Sequence, residues 1–159
     1  MNPEKPDQLR EALRLCDIHF LRMSYAFSKV TDKFPLDETS YLKLSPDDLS
    51  YFDQLIFRFS KLQDSMGNRL FPSLLENLGE DLEGKPFIDI LTRLEQLRLI
   101  ENHKDWLKLR ETRNMVIHEY PFNSNEIIAG LNLLNVQFSL LKTIWLSLKE
   151  YAENRFNLN

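Results

Sequence analysis

Two long segments, one near each end of the chain, carry apolar residues at alternating intervals of four and three. Because an α-helix turns about 100° per residue, this spacing places the apolar side chains along one stripe of each helix. The heptad-like repeat predicts two long amphipathic helices that pack at the shallow crossing angles of a helical bundle. The stripes consist of Leu9, Leu13, Cys16, Phe20, Met23, Phe27 and Val30 in the first segment, and of Ile127, Leu131, Leu134, Phe138, Leu141, Trp145, Leu148 and Ala152 in the second.

A third apolar stripe indicates another long helix, and local signals mark its ends. Residues 31–45 interrupt the periodicity with proline and small polar residues, so we expect a connection there. Ser45 then supplies a capping hydroxyl, and Pro46 suits a first helical turn. Gly67 and Pro72 predict a kink or break at the far end. The predicted buried face comprises Leu49, Phe52, Ile56, Phe59, Leu62 and Met66.

Two further helices are predicted before the last one. Pro86 follows a turn-rich stretch, residues 79–85, and opens the first of them. Asn102 caps the second, which is predicted to run to Tyr120. Asn123, followed three residues later by a glutamate, is typical of a capping box at the start of the last helix. The predicted apolar faces are Ile88, Leu91, Leu94, Leu97 and Ile100 in the first, and Trp106, Leu107, Leu109, Val116 and Ile117 in the second.

The composition agrees with an all-α protein. The chain has only 4 Gly among 159 residues, and Leu, Glu, Lys and Arg are plentiful while Val and Thr are few. This balance favours helices over sheets. Hydrophobic residues at 43% and charged residues at 28% are typical of a domain that buries its own core. We therefore predict a single domain over residues 1–159, folded as an up-and-down bundle of four main helices plus a shorter one.

Charge, cysteine content and absent motifs narrow the class of protein. The formal net charge of −4 provides no global attraction for nucleic acid, so any such contact would be local. The single cysteine, Cys16, excludes an internal disulfide and belongs to a predicted core stripe. The N-terminus has no apolar signal segment, and no apolar run approaches membrane-spanning length, so we expect a cytoplasmic protein with no membrane contact.

Metal-ligand motifs and glycine-rich phosphate loops do not occur in the sequence. His19 and His103 have no metal-ligand partner three or four residues away, so each is predicted to be structural or solvated. We therefore expect neither a metal nor another cofactor.

The stretch Arg110–Pro121, RETRNMVIHEYP, holds the strongest candidate site. A helix turns about 100° per residue, so Asn114 and His118, four apart, lie on the same face. Arg113 is about 7.5 Å from His118 along the helix axis, and its long side chain reaches the same space. A helix C-terminus also favours the imidazolium form of histidine. A histidine that moves protons beside an arginine that holds phosphoryl oxygens is suited to chemistry at a phosphate.

This stretch resembles the signature of the HEPN superfamily, which is an arginine, a polar residue, three further positions and then a histidine near the end of a helix. Arg113, Asn114 and His118 match it on the penultimate predicted helix. Tyr120 extends the likeness to HepT-type toxins, whose motif includes a tyrosine two positions after the histidine. The motif covers eight residues, and the predicted helical layout extends the agreement over most of the chain.

The resemblance implies a homodimer in which two copies of the motif line one cleft and act on RNA as a metal-independent endoribonuclease. His118 would activate the ribose 2′-OH or protonate the leaving oxygen, Arg113 would bind the scissile phosphate, and Asn114 would orient either of them. A nucleotidyltransferase antitoxin is the implied partner, and in some systems it adenylylates the tyrosine, which here is Tyr120. A bulky anionic group at that position would block a phosphate-binding cleft by repulsion.

Simpler explanations exist for the same residues. Arg113 and His118 could form a surface salt bridge and helix cap, for instance with Glu111 or Glu119. Tyr120 could simply pack the helix end. Other basic residues could widen a phosphate-binding surface, although a solvated helix face is the simpler account; these are Lys108 and Arg110 before the motif, and Arg58, Lys61 and Arg69 on the second long helix.

Two other functions stay open at this point. A non-catalytic HEPN protein could be the nucleotide- or partner-binding subunit of a nucleotidyltransferase, and the acidic net charge of −4 favours that function. An unrelated helical adaptor, in which the motif is coincidental, is the third. The intact pair of Arg113 and His118 favours the ribonuclease.

Overall fold

The computed structural model describes residues 4–117 and 124–158. No strand occurs in these two ranges, so the predicted all-α helical bundle is confirmed. A 3₁₀ turn follows the first helix, and a π-helical turn, Met66–Leu70, lies between the third and fourth. The helices are α1 Glu4–Val30, α2 Glu38–Leu42, α3 Pro46–Ser65, α4 Phe71–Asn77, α5 Phe87–Gln96, α6 His103–Ile117 and α7 Ser124–Phe156.

The hydrophobic core is built mainly by the four long helices. Helix α1 packs chiefly against α3, α6 packs chiefly against α7, and α3 also contacts α6, which joins the two pairs. The predicted stripes of α1 and α7 are confirmed, because their residues are buried except for Phe27 and Ile127, which are half-buried against the core. Trp106 and Trp145 are among the largest fully buried side chains. Their predicted role as core residues is also confirmed.

Side-chain caps begin α3 and α6 as the sequence predicts. The Ser45 hydroxyl accepts a hydrogen bond from the Asp48 amide at 3.0 Å, and the Asp48 carboxylate accepts one from the Ser45 amide at 3.3 Å. Asn102 Oδ1 accepts a hydrogen bond from the Lys104 amide at 2.8 Å. These bonds satisfy amides that have no partner inside the helix. The predicted capping box at Asn123 lies outside the described residues.

The predicted break near Gly67 is a wider helical turn rather than an interruption. The π-helical turn Met66–Leu70 joins α3 directly to α4, and the Phe71 amide donates to the Met66 carbonyl five residues earlier. Pro72 follows in the first turn of α4 and has no amide hydrogen to donate. A π turn is one of the usual ways in which a helix accommodates such a disturbance.

The predicted apolar faces are wrong at some positions. Leu55, Ile90 and Thr112 are buried although they were not part of the predicted faces, and Ile56, which was, is only half-buried. Two apolar residues that are adjacent in the sequence point in directions about 100° apart around the helix axis, and the packing partner determines which of the two is buried. The predicted core residues that are instead exposed, by 39% to 45%, are Leu49, Ile88, Leu107 and Ile117.

The connection over residues 31–45 contains a 3₁₀ turn and the short helix α2, which the sequence did not predict. It is tied to α7 by Asn132, whose amide group pairs with one residue of the connection. Asn132 Oδ1 accepts a hydrogen bond from the Leu36 amide at 2.8 Å, and Asn132 Nδ2 donates to the Leu36 carbonyl at 2.9 Å. Leu36 is consequently held in the core.

Helix α7 is long and apolar enough, by length and composition alone, to cross a membrane, with a window of mean hydropathy 1.4. The expectation that no apolar run approaches that length is therefore wrong for this helix. Within the fold, 33% of that window is buried. The core helix of a bundle meets the same test, and here α7 contributes its apolar stripe to the core.

Candidate functional site

Helix α6 carries Arg113 toward α3, where its guanidinium meets a carboxylate. Arg113 Nη2 donates to Asp64 Oδ2 at 2.9 Å. The two side chains retain 23% and 35% of their exposure, respectively, so the pair is half-buried at the junction of α3 and α6. Partial burial and the charged partner together fix the guanidinium more firmly than an exposed pair would.

Asn114 contacts the other side of the same guanidinium. Arg113 Nη1 donates to Asn114 Oδ1 at 3.3 Å. Arg113 Nε is buried and has no hydrogen-bond partner among the described residues. A guanidinium has five N–H donors, so Arg113 keeps donors that have no acceptor within residues 4–117 and 124–158.

A small cavity of about 20 Å³ lies beside this pair. Arg110 and Arg113 both line it, together with Asn68 of the π turn. Arg110 also lies over the ring of Phe87, with its Cζ atom 5.3 Å from the ring centroid. Lys108, in contrast, is exposed and is not part of the lining. Of the two basic residues before the motif, the fold therefore brings only Arg110 to Arg113.

Of the predicted site residues other than Arg113, the described ranges include Asn114. Asn114 contacts Arg113, as described, on the last described turns of α6. His118 and Tyr120 lie outside the described residues, as do Glu119 and the predicted helix end. The predicted roles of His118 and Tyr120 therefore stay predictions. The described part of α6 extends through Ile117, the residue that immediately precedes His118 in the chain.

Helix α7 approaches the end of α6 closely at Gly130. A Cβ atom placed on Gly130 would lie 2.9 Å from Val116 Cγ1 and 3.3 Å from Met115 Cβ. Carbon atoms at van der Waals contact are about 3.5–4.0 Å apart, so a side chain here would push the two helices apart. The glycine therefore allows α7 to support the segment of α6 that follows Arg113.

A larger groove, which we call the α1–α3 groove, adjoins the cavity. It encloses about 430 Å³ and shares Asp64 and Asn68 with the lining of the small cavity. Asp64 therefore faces both the groove and the small cavity. The residues of the α1–α3 groove that carry charge, aromatic or imidazole groups are His19, Phe57, Arg58, Lys61, Asp64 and Arg69.

His19 is neutral in this groove and is held by an arginine. The ring Nδ1 lies 2.9 Å from Arg58 Nη1. Because a guanidinium can only donate, Nδ1 must accept, and the proton of the neutral ring is on Nε2. Burial lowers the pKa of His19, and the charge of Arg58 lowers it further. His19 is thus a fixed hydrogen-bonding group, which agrees with the prediction that it is structural.

The remaining reactive side chains have structural partners or are shielded. Cys16 is fully buried, which confirms its predicted place in the core, and this burial raises the pKa of its thiol to about 12. His103 Nδ1 lies 2.8 Å from Glu95 Oε2, so His103 links α6 to α5. Within residues 4–117 and 124–158, no group of three His, Cys, Asp or Glu side chains is placed to hold a metal ion.

Sequence reasoning missed Asp64 and the contact between His19 and Arg58. It named Glu111 and Glu119 as example partners for Arg113 and His118; among the described residues the carboxylate that pairs with Arg113 is that of Asp64, on another helix, and Glu119 lies outside them. Asp64 precedes Arg113 by 49 positions, so no local spacing rule connects them. The only available signal was that Asp64 follows the basic residues of α3 in the sequence.

Comparisons of the chain with protein-family models, with curated proteins and with solved structures give no match. The motif and the geometry around Arg113 are therefore the basis for a functional proposal.

Proposed function

We propose that this chain is a metal-independent endoribonuclease of the HepT type, a toxin controlled by a nucleotidyltransferase antitoxin. The observation that carries the proposal is the anchored Arg113, which is held 2.9 Å from Asp64 on the helix that leads to His118. An arginine whose guanidinium is held in place, and which has further N–H donors, is well suited to bind the oxygens of a phosphodiester.

The proposed reaction is a transesterification within the RNA strand. The ribose 2′-oxygen attacks the adjacent phosphorus, its proton passes to a base, and the bond from phosphorus to the 5′-oxygen breaks as that oxygen takes up a proton. His118 serves as the base or as the acid, and Arg113 binds the phosphoryl oxygens as negative charge builds up on them. The products are a 2′,3′-cyclic phosphate and a 5′-OH end, so atoms and charges balance without a metal.

Asn114 and Asp64 act on this step through Arg113. Asn114 Oδ1 accepts from one arm of the fork and Asp64 from the other, which limits rotation of the guanidinium. The side-chain entropy of the arginine is then lost during folding rather than at the moment of phosphate binding. Asp64 is a positioning residue in this scheme.

The proposed partners follow from the same family likeness. A homodimer would place Arg113 and His118 of both subunits along one groove, and the antitoxin would adenylylate Tyr120. The added phosphate would then stand two residues from His118 and repel RNA from the site. We further propose that the protein acts in the cytoplasm, where RNA is its substrate.

The decisive experiment is RNA cleavage by the purified protein in the presence of a chelator. The wild type is compared with His118→Ala and Arg113→Ala, and Arg14→Ala, an exposed residue on α1, is the matched control. We expect cleavage by the wild type and the control, with 2′,3′-cyclic phosphate ends, and loss of about 10²-fold or more in the other two variants. Equal cleavage by all four proteins would refute the assignment of the site.

One observation favours the partner-binding form of the alternative, which is a non-catalytic HEPN subunit that binds a nucleotide or a nucleotidyltransferase. The carboxylate of Asp64 already neutralises Arg113 and competes with a phosphate for it. Two results together would make the binding subunit the better assignment. The unmodified, dimeric wild type would cleave no RNA, and a purified nucleotidyltransferase would bind the wild type more tightly than it binds the Arg113→Ala variant.

A further inference from the structure

The α1–α3 groove concentrates basic groups that have no acidic partner. Among the described residues, Arg58, Lys61 and Arg69 form no ion pair, and neither does Arg22, which lies close enough to influence this groove. The single acid in the lining, Asp64, is already paired with Arg113. In a chain with 24 acidic and 20 basic residues, such a local excess is not a consequence of overall composition.

Crowding of these cations is visible in their electrostatics. Burial lowers the pKa of the Arg58 guanidinium, and the charge of Arg22 lowers it further. Arg58 Nε is buried and has no partner among the described residues. The one acceptor that the described part of the chain gives Arg58 is the neutral ring of His19, which adds no negative charge. An anion in the groove would supply the charge that these groups lack.

The groove also presents an aromatic ring among the cations. Phe57 is 50% exposed and lies in the lining of the groove. Arg58 Cζ and Lys61 Nζ lie 5.1 Å and 5.6 Å from its ring centroid. Proteins that bind single-stranded nucleic acids combine a basic groove along the backbone with exposed rings on which bases stack.

The groove adjoins the candidate site. Asp64 and Asn68 line both the groove and the cavity beside Arg113. A strand with one phosphate at Arg113 would enter the groove past these two polar side chains.

We propose that the α1–α3 groove binds the backbone of single-stranded RNA next to the scissile phosphate, through Arg58, Lys61 and Arg69, with Phe57 stacking on a base. This inference rests on the proposed function for its choice of RNA as the anion. It assigns to three basic residues and one aromatic residue outside the motif a role in holding the substrate. Chemistry remains with Arg113 and His118.

The test measures binding separately from cleavage. The probe is a fluorescent 2′-O-methyl oligoribonucleotide of about twelve nucleotides, which spans a typical single-strand site and lacks the 2′-OH needed for cleavage. Fluorescence anisotropy gives the Kd at several salt concentrations. The groove variant is Lys61→Gln with Arg69→Gln, because both side chains are exposed and their loss leaves the core intact. The matched control is Lys43→Gln with Lys142→Gln, two exposed lysines outside the groove.

We expect the groove variant to bind the probe about tenfold or more weakly than the control pair at low salt. For single strands, the slope of log K against log salt changes by about 0.7 for each phosphate contact, so the loss of two contacts should flatten it by about 1.4. A Phe57→Leu variant should bind about tenfold more weakly with an unchanged salt slope, because stacking releases no counterions. Equal Kd and slope in the groove variant and the control pair would overturn the inference, as would absence of binding by the wild type.

The cleavage assay separates this failure from failure of the proposed function. If the wild type cleaves RNA through Arg113 and His118 while the groove variant binds like its control, only the groove is wrongly assigned. If the groove variant loses binding while Arg113→Ala and His118→Ala cleave normally, the groove assignment stands and the proposed motif chemistry fails.

Discussion

Replacing Gly130 with alanine tests whether the close approach of α7 supports the end of α6. The new methyl group would lie 2.9 Å from Val116 Cγ1 and 3.3 Å from Met115 Cβ. Val116 is only 8% exposed, and its β-branched side chain has little rotational freedom in a helix. Neither contact is with the flexible end of a side chain. The helices must therefore separate locally to admit the methyl group.

Two effects of opposite sign determine the change in stability. Alanine in place of glycine inside a helix contributes about 1 kcal/mol through its lower backbone entropy. Overpacking of a well-filled contact costs about 1–3 kcal/mol. Because the nearest contact is well below van der Waals distance, we expect the clash to win. The free energy of unfolding should fall by about 1 kcal/mol, which corresponds to a Tm about 2–4 °C lower for a domain of this size.

The chain provides a matched control in Gly67, the other glycine within a helical segment. A Cβ atom there would lie 3.5 Å from Phe87 Cζ and 3.6 Å from Trp106 Cζ2, which is ordinary contact. Gly67→Ala should therefore raise the free energy of unfolding by about 0.5 kcal/mol. Urea unfolding followed by circular dichroism measures both variants. If Gly130→Ala is as stable as the wild type, or if both variants lose the same amount, the steric argument is wrong.

Three further predictions concern single side chains. Asp64→Asn keeps an acceptor for Arg113 but removes a negative charge from the site. In steady-state RNA cleavage, KM should fall roughly threefold because the substrate phosphate is repelled less, and kcat should fall roughly threefold because Arg113 is held less firmly. An unchanged kcat would argue against positioning by Asp64. Because the folded-state pKa of His19 is lowered below its ordinary value of 6.5, the unfolded chain binds the proton first, and stability should fall as the pH drops below about 6.5. His19→Asn keeps an acceptor near Arg58 and cannot protonate, so urea unfolding at about pH 7 and about pH 5 should show a smaller loss than in the wild type; an equal loss would assign the effect to other groups. Burial raises the pKa of Cys16 to about 12, so a thiol-specific disulfide reagent at mildly alkaline pH should react only after unfolding, and fast reaction of the folded chain would contradict its burial.

The long helices were predictable because their information is local and repeated. The stripe of α1 from Leu9 to Val30 and that of α7 from Leu131 to Ala152 each repeat over many turns, so an error at one position does not change the prediction. The cap at Ser45 was predictable for a similar reason, since hydroxyl, proline and acidic residues lie within four positions. These signals depend on chemistry within one or two helical turns.

Which residues of α3 and α6 are buried could not be predicted in the same way. In α3 both Leu55 and Ile56 are apolar, and the packing of α3 against its neighbouring helices leaves Leu55 fully buried and Ile56 half-buried. In α6, Thr112 is buried although its type gave no reason to expect it. Such choices depend on the shape of a neighbouring helix, which a single sequence does not display.

The residues of the candidate site also differ in whether local sequence identifies them. Arg113 and Asn114 are candidates because of their spacing in a motif, and their side chains are in contact in the structure. Asp64 could not be predicted, because it reaches Arg113 through the packing of α3 against α6. The α1–α3 groove likewise depends on His19, from a different helix, meeting Arg58. Long-range pairs of this kind are properties of the packed bundle rather than of any one segment.

The π-helical turn Met66–Leu70 is equivalent to one residue inserted into an otherwise continuous helix. Deletion of a residue from an ordinary α-helix rotates everything beyond it by about 100° and moves its core residues toward solvent. At this turn a deletion would instead remove the extra residue and leave α3 and α4 facing the same core, while Pro72 would still have no amide hydrogen to donate. Deletion of the exposed Asn68 would remove a side chain that lines both the cavity at Arg113 and the α1–α3 groove. The chain can therefore lose or regain a side chain at the meeting point of its two proposed phosphate sites by a change in length, while the helices that carry them stay in register.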